Sequence, residues 1–141
     1  MIFHQERYCP LIWYMASKQR IAIIGAGGFG CEVFHFLDKD LYECIGFIDY
    51  NNIDRELPVP IIGHEDDIDR LVSEYEFSKC ALAIGDMKQR QDIHTNICNF
   101  PIQFPVVMHS SVQSYSKNIQ SGAILYPNVI IMNNCRIGKF T

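Results

Sequence analysis

Apolar residues gather in four short runs, Ile21 to Ile24, Cys44 to Ile48, Pro60 to Ile62 and Cys80 to Ile84. Uninterrupted runs of this length suit strands covered on both faces. Between them the apolar positions change to a helical spacing. Phe29, Val33, Phe36 and Leu37 stand at i, i+4, i+7 and i+8, with Asp38 to Asp40 closing the polar end. A second helix is predicted to open on the acids of "HEDDID", which suit a helix N-terminus, and to bury Ile68, Leu71, Val72 and Tyr75. A third is predicted to begin after Asp86, a good N-cap residue, with Ile93 and Ile97 on one side. Strands alternating with amphipathic helices predict an α/β fold with a parallel sheet and flanking helices.

After "NFPIQFPVVMHSS" the rhythm changes. Ile119, Leu125, Ile131 and Ile137 recur every six residues, and Ala123, Val129, Cys135 and Thr141 fall four places after each. Neither a helix nor an ordinary strand repeats every six residues. A β-helix does, because each short strand turns one aliphatic side chain inward before the next corner. The expected organisation is an N-terminal extension over 1–17, disordered or preceding an alternative first residue at Met15, an α/β domain over 18–108, and an incomplete hexapeptide-repeat β-helix over 109–141. Four hexapeptides amount to little more than one triangular coil, so a longer natural protein or a partner chain is expected to cover its open end.

Composition narrows the function without naming it. The 141 residues, 48% hydrophobic and 20% charged, are enough for one globular domain with a small appendage. A net charge of -4 with scattered basic residues argues against nucleic acid as a partner. The six cysteines show no CxxC and no Cys/His cluster, so they read as reduced, mostly packed thiols and not as a zinc site. The apolar patch from Leu11 to Ala16 is too short to be a signal peptide or to span a membrane, which points to a cytoplasmic protein. The "HEDDID" acids lack a paired ligand set and read as a solvated helix start rather than a metal site.

The chemistry-bearing stretch is "IIGAGGFG". Gly25, Gly27 and Gly30 satisfy GxGxxG, and Gly28 lies within it, after a predicted strand and before a predicted helix. The first glycine permits the tight turn, the second lets backbone approach a pyrophosphate, and the third lets helix lie close on strand. The helix N–H groups then face the anion. Asp49 ends the second strand nineteen residues after Gly30, placed to accept hydrogen bonds from a ribose. NAD, FAD and nucleotide sugars all fit such a loop. However, the α/β pattern runs out near residue 108 with no second βαβ half, so only a mononucleotide-sized unit is present. His64, after "PIIG", stands either at the nucleotide pocket or in an exposed loop. His109 reads as structural, His35 and His94 as surface or boundary residues. The serines of "HSSVQSYS" are turn chemistry, and no Ser/His/Asp triad can be assembled.

"IIGAGGFG", "IGFID" ending in Asp49, "ALAIGDMKQRQDI", "VVMHSSV" and "IQSGAILYPNVIIMNNCRIGKF" together resemble the PglD/NeuD-type nucleotide-sugar acyltransferases, bacterial UDP-4-amino-sugar N-acetyltransferases and sialic acid O-acetyltransferases. The resemblance runs from Lys18 onward. It implies a Rossmann-like domain holding a UDP- or CMP-linked sugar, followed by a left-handed β-helix that trimerises and binds acetyl-CoA between subunits. It implies binding roles for Gly27, Gly28, Phe29, Gly30, Asp49, Gly85 and Arg90. Asp86 stands where the family often has a neutral polar residue. The family's general base is a histidine in the coil after the one written here, so no residue of this chain is expected to be catalytic. Two other functions fit the same residues: a non-catalytic nucleotide-sugar-binding module, and a small NAD(P)-binding domain.

Overall fold

The computed structural model describes residues 17–51 and 56–141. Residues 1–16, which hold nearly all of the expected extension together with Cys9 and Met15, lie outside the described residues. Strands β1 (Gln19–Ile24), β2 (Tyr42–Ile48), β3 (Ile61–Gly63) and β4 (Lys79–Leu82) form a parallel sheet in the order β3-β2-β1-β4. Helix α1 (Gly28–Phe36) joins β1 to β2; α2 (Ile68–Tyr75), entered through a 3-10 turn at Glu65–Asp67, joins β3 to β4; α3 (Met87–Ile97) follows β4.

The sheet is covered on both faces. Ile21, Ile23 and Phe47 pack with Val33 of α1 and with Leu37 just past its end, while Ala22, Ile24 and Ile48 pack with Ile68, Leu71, Ile93 and Ile97 of α2 and α3. Successive residues of β1 therefore enter opposite cores, which is why the runs are continuously apolar and not alternating. Asp86 caps α3 by accepting a hydrogen bond from the Gln89 N–H at 2.7 Å.

The chain then passes along the β4 edge, where Gln103 bridges Lys79, and enters the coil. Strand β5 (Val107–Met108) pairs in parallel with β7 (Ile124–Leu125), β6 (Gln113–Ser114) with β8 (Ile130–Ile131), and Ile119 bridges Ile137. Partners lie seventeen or eighteen positions apart, three hexapeptides, which is one turn of a β-helix. The ladder begins at Val107, and the chain makes about two stacked coils where the aliphatic repeats predict little more than one. The earlier coil escapes the pattern because Gln113 breaks the six-residue count and the seventeen-residue register sets Ser114, not an aliphatic residue, beside the inward Ile131.

A second six-residue series marks the corners. Gly122, Asn128, Asn134 and Phe140 all have positive φ, at 74°, 63°, 63° and 54°. Glycine and asparagine tolerate this region, and Pro127 before Asn128 supplies the i+1 residue of a type II turn. Phe140, a bulky residue in the same conformation, is held by ring contacts to Phe104 and His94 at 5.2 and 4.5 Å. His94 thus lies in the packing between helix and coil rather than at a free surface.

Leu125, Ile131 and Ala123 are buried, but Cys135 and Thr141 are exposed. The small-residue series therefore does not stay inside. Cys135 sits just after the Asn133–Asn134 corner, its N–H bonded back to the Met132 carbonyl at 3.3 Å. All five described cysteines are free thiols, yet of these only Cys80 is buried, while Cys98 and Cys135 are exposed. Among the described residues no helix is long and apolar enough to cross a membrane.

Candidate functional site

In an open parallel sheet a crevice forms where the strand order reverses. Here the chain moves from β1 to β2 and β3 on one side and returns to β4 on the other. A cleft of about 280 Å³ opens at the carboxyl ends of these strands, floored by Gly27, Gly28 and Phe29 and flanked by Asp49 after β2 and Gly85 after β4.

The glycines divide into two kinds. Gly25 has φ +102°, and a Cβ there would stand 2.5 Å from the Ala83 carbonyl oxygen; a Cβ on Gly30 would overlap the Gly25 carbonyl. These two close the loop onto the sheet. At Gly27, Gly28 and Gly85, by contrast, a Cβ would meet nothing within 4 Å. The chain's own packing does not require glycine there, and the space above the loop is open. Gly27, the N-cap of α1, offers no side-chain cap, so the first N–H groups of the helix are available to an anion.

Asp49 does more than face the cleft. Its Oδ2 accepts a hydrogen bond from the Ala26 N–H at 2.7 Å, and its Oδ1 accepts one from the Asn51 N–H at 2.8 Å. The carboxylate ties the glycine loop to the end of β2 and shapes the following turn, and its unused lone pairs remain for a ligand.

Of the residues singled out in the sequence, Gly27, Gly28, Phe29, Asp49 and Gly85 come together around the cleft. Gly30 lies buried behind it. Arg90 turns away, its Nη1 donating to the Ile84 carbonyl at 2.8 Å, and lines a separate surface hollow with His94, Lys139 and Phe140. His64 stands beside the cleft, its ring edge-on to Tyr50 at 5.3 Å and within 4.0 Å of Asp66 and 3.7 Å of Asp67. His109 is held at the junction by Ser111, whose hydroxyl lies 2.7 Å from Nδ1. Four cleft residues escape the sequence reading: Tyr50, Asn51, Glu65 and Gln89. Glu65 belongs to the stretch read as a solvated helix start, and only the β2–β3 pairing carries it to the cleft. Among the described residues no group of His, Cys, Asp and Glu could hold a metal ion.

The coil is joined to the same helix that floors the cleft. The Tyr126 hydroxyl donates to Glu32 Oε2 at 2.5 Å, and its ring packs on Phe29 and Phe36 with centroids 6.1 and 5.1 Å apart. Partial burial and the hydrogen bond to Glu32 push the phenol pKa up to about 12.

The PglD N-terminal domain family matches residues 20–97, more than half of the chain and all of the cleft-forming sheet except Gln19. The chain belongs to that family. No curated protein matches it. In three dimensions this PglD-family chain is similar to a histidine-to-asparagine variant of perosamine N-acetyltransferase from Caulobacter crescentus, solved with CoA and GDP-perosamine. The TM-score is 0.74 and the identity 24%, over 85% of this chain and 57% of that one. It is also similar to the acetyltransferase domain of PglB from Neisseria gonorrhoeae, solved with acetyl coenzyme A, at a TM-score of 0.63 and 23% identity over 87% of this chain and 66% of that one. The chain therefore spans less than two thirds of either structure. The likeness establishes the fold, a Rossmann-like sheet leading into a β-helix.

Proposed function

We propose that residues 18–108 bind a nucleotide sugar and that residues 109–141 begin the β-helix on which acetyl-CoA acylates it, so that the chain carries the substrate-binding half of a sugar N- or O-acetyltransferase. The observation that carries this reading is the open floor of the cleft at Gly27 and Gly28, where packing leaves unexplained space in front of uncapped helix N–H groups. A diphosphate fits there, since its charge meets the helix N-terminus and its oxygens accept from backbone N–H groups. Asp49 faces the ribose, and Gly85 leaves the β4 side of the cleft open. The structural neighbours, whose own complexes hold CoA, acetyl coenzyme A or GDP-perosamine, support the same chemistry. A homotrimer, a left-handed coil and a cytoplasmic site of action go with this reading.

The role of these residues is binding and orientation. His64 and His109 stand outside the cleft, and proton transfer is assigned to neither. Titration calorimetry with nucleoside-diphosphate sugars, CMP-linked sugars and NADH tests the proposal. Saturable binding of a nucleotide sugar with markedly weaker NADH binding is expected. NADH binding more tightly than every nucleotide sugar would replace the proposal with a dinucleotide-binding domain.

A further inference from the structure

At the end of the cleft farthest from the β4 side stand two residues, Glu65 and Tyr50, that the packing of the described residues does not account for. Glu65 lines the cleft half-buried, and among the described residues its carboxylate has no hydrogen-bond or ion-pair partner. Its neighbours are engaged differently: Asp67 lies 3.4 Å from Arg70 Nη2, and Asp66 lies near His64. Tyr50 lines the same end with 70% of its surface exposed, its ring steadied by the edge-on imidazole of His64. The Asp49 N–H donates to the Gly63 carbonyl at 3.0 Å, which sets the start of the Tyr50 turn beside the strand that leads into Glu65.

We infer that Tyr50 and Glu65 form the base subsite and that the base is guanine. The inference rests on the reading of the cleft as a nucleotide-sugar site. Sheet order places β3, and so Glu65, beyond β2 and away from β1, whose carboxyl end leads into the N-terminus of α1. A diphosphate at α1 and a ribose at Asp49 bring the base to this end. Tyr50 offers an exposed aromatic face on which any base can stack. Glu65 discriminates, because a carboxylate only accepts hydrogen bonds and is best matched by two parallel donors. Guanine presents two adjacent donors, N1–H and the 2-amino group. Uracil presents one donor between two carbonyl oxygens that a carboxylate repels. Cytosine and adenine each set one amino group beside a ring nitrogen that accepts.

Calorimetry on the full chain with GDP, IDP, UDP, ADP and CMP tests the assignment. GDP is expected to bind at least roughly tenfold more tightly than UDP, ADP or CMP, and IDP, which lacks the 2-amino donor, to lose roughly tenfold relative to GDP. Glu65→Gln is expected to weaken GDP by roughly tenfold or more and to leave UDP within about twofold, while Tyr50→Leu weakens GDP and UDP alike. UDP binding as tightly as GDP, IDP matching GDP, or Glu65→Gln weakening GDP and UDP equally would each overturn guanine recognition while leaving the nucleotide-sugar reading in place. Failure of every nucleotide and nucleotide sugar to bind would overturn both.

Discussion

The two halves of the molecule use periodic sequence in opposite ways. In the sheet, β1 is buried on both faces, so its pattern is a solid apolar run and the informative residues are the glycines that interrupt packing just beyond it. In the coil, strands are only two residues long, and stability depends on stacking one inward aliphatic per side of each turn. The coil is regular because each position repeats a structural duty. The glycine loop is irregular because its members have different duties, two of them in packing and two in leaving space. Ligand chemistry is therefore to be sought in the loop, at positions the fold does not need.

The largest expected effect tests that division directly. Gly30→Ala drives a Cβ into the Gly25 carbonyl, and two backbone segments cannot yield as a side chain can. A loss of at least ~3 kcal/mol is expected in a denaturant melt. Stability within 1 kcal/mol of the parent would abolish the distinction between the two kinds of glycine. Next, Leu125→Ala removes a buried inward residue of the coil and is expected to cost ~2–4 kcal/mol. Loss of the coil's cooperativity with the sheet domain in the same melt would show that the two halves fold separately.

Gly27→Val is the counterpart of Gly30→Ala. The side chain meets open space, so stability should stay within ~1 kcal/mol of the parent, whereas nucleotide-sugar affinity should fall by at least roughly tenfold in calorimetry. Normal binding would move the phosphates elsewhere. The smallest effect concerns the joint between the halves. Tyr126→Phe deletes the hydrogen bond to Glu32 and is expected to cost at most ~1 kcal/mol at neutral pH. The folded phenol titrates at about 12 against an ordinary value of 10.0. The stability it contributes is therefore fully present below pH 10 and lost as the pH rises through that interval. The variant should lack this alkaline decline, which thermal melts across the interval would measure.

Much of the fold is legible because its causes are local. Apolar runs, helical stripes, the Asp86 cap and the six-residue aliphatic series each follow from residues a few places apart. The coil's earlier turn was harder to read, since Gln113 breaks the aliphatic series, although the corner series of Gly122, Asn128 and Asn134 carries the same period. Of the candidate site, the glycine loop and Asp49 could be read directly. Glu65 and Tyr50 could not, because what makes them notable is a carboxylate without a partner among the described residues and an exposed ring in a shared cleft. Arg90 shows the converse, a residue near the loop in the fold whose guanidinium is turned onto the Ile84 carbonyl instead.

Local periodicity and turn chemistry by themselves determined a parallel α/β sheet, a glycine-rich loop between strand and helix, and a hexapeptide coil, since steric and burial rules act over neighbouring residues. The tertiary structure alone decided which glycines serve packing and which leave room, that Asp49 braces the loop it faces, and that Tyr126 meets Glu32 across 94 positions. These are contacts and vacancies between distant segments, and they exist only once the sheet order has brought those segments together.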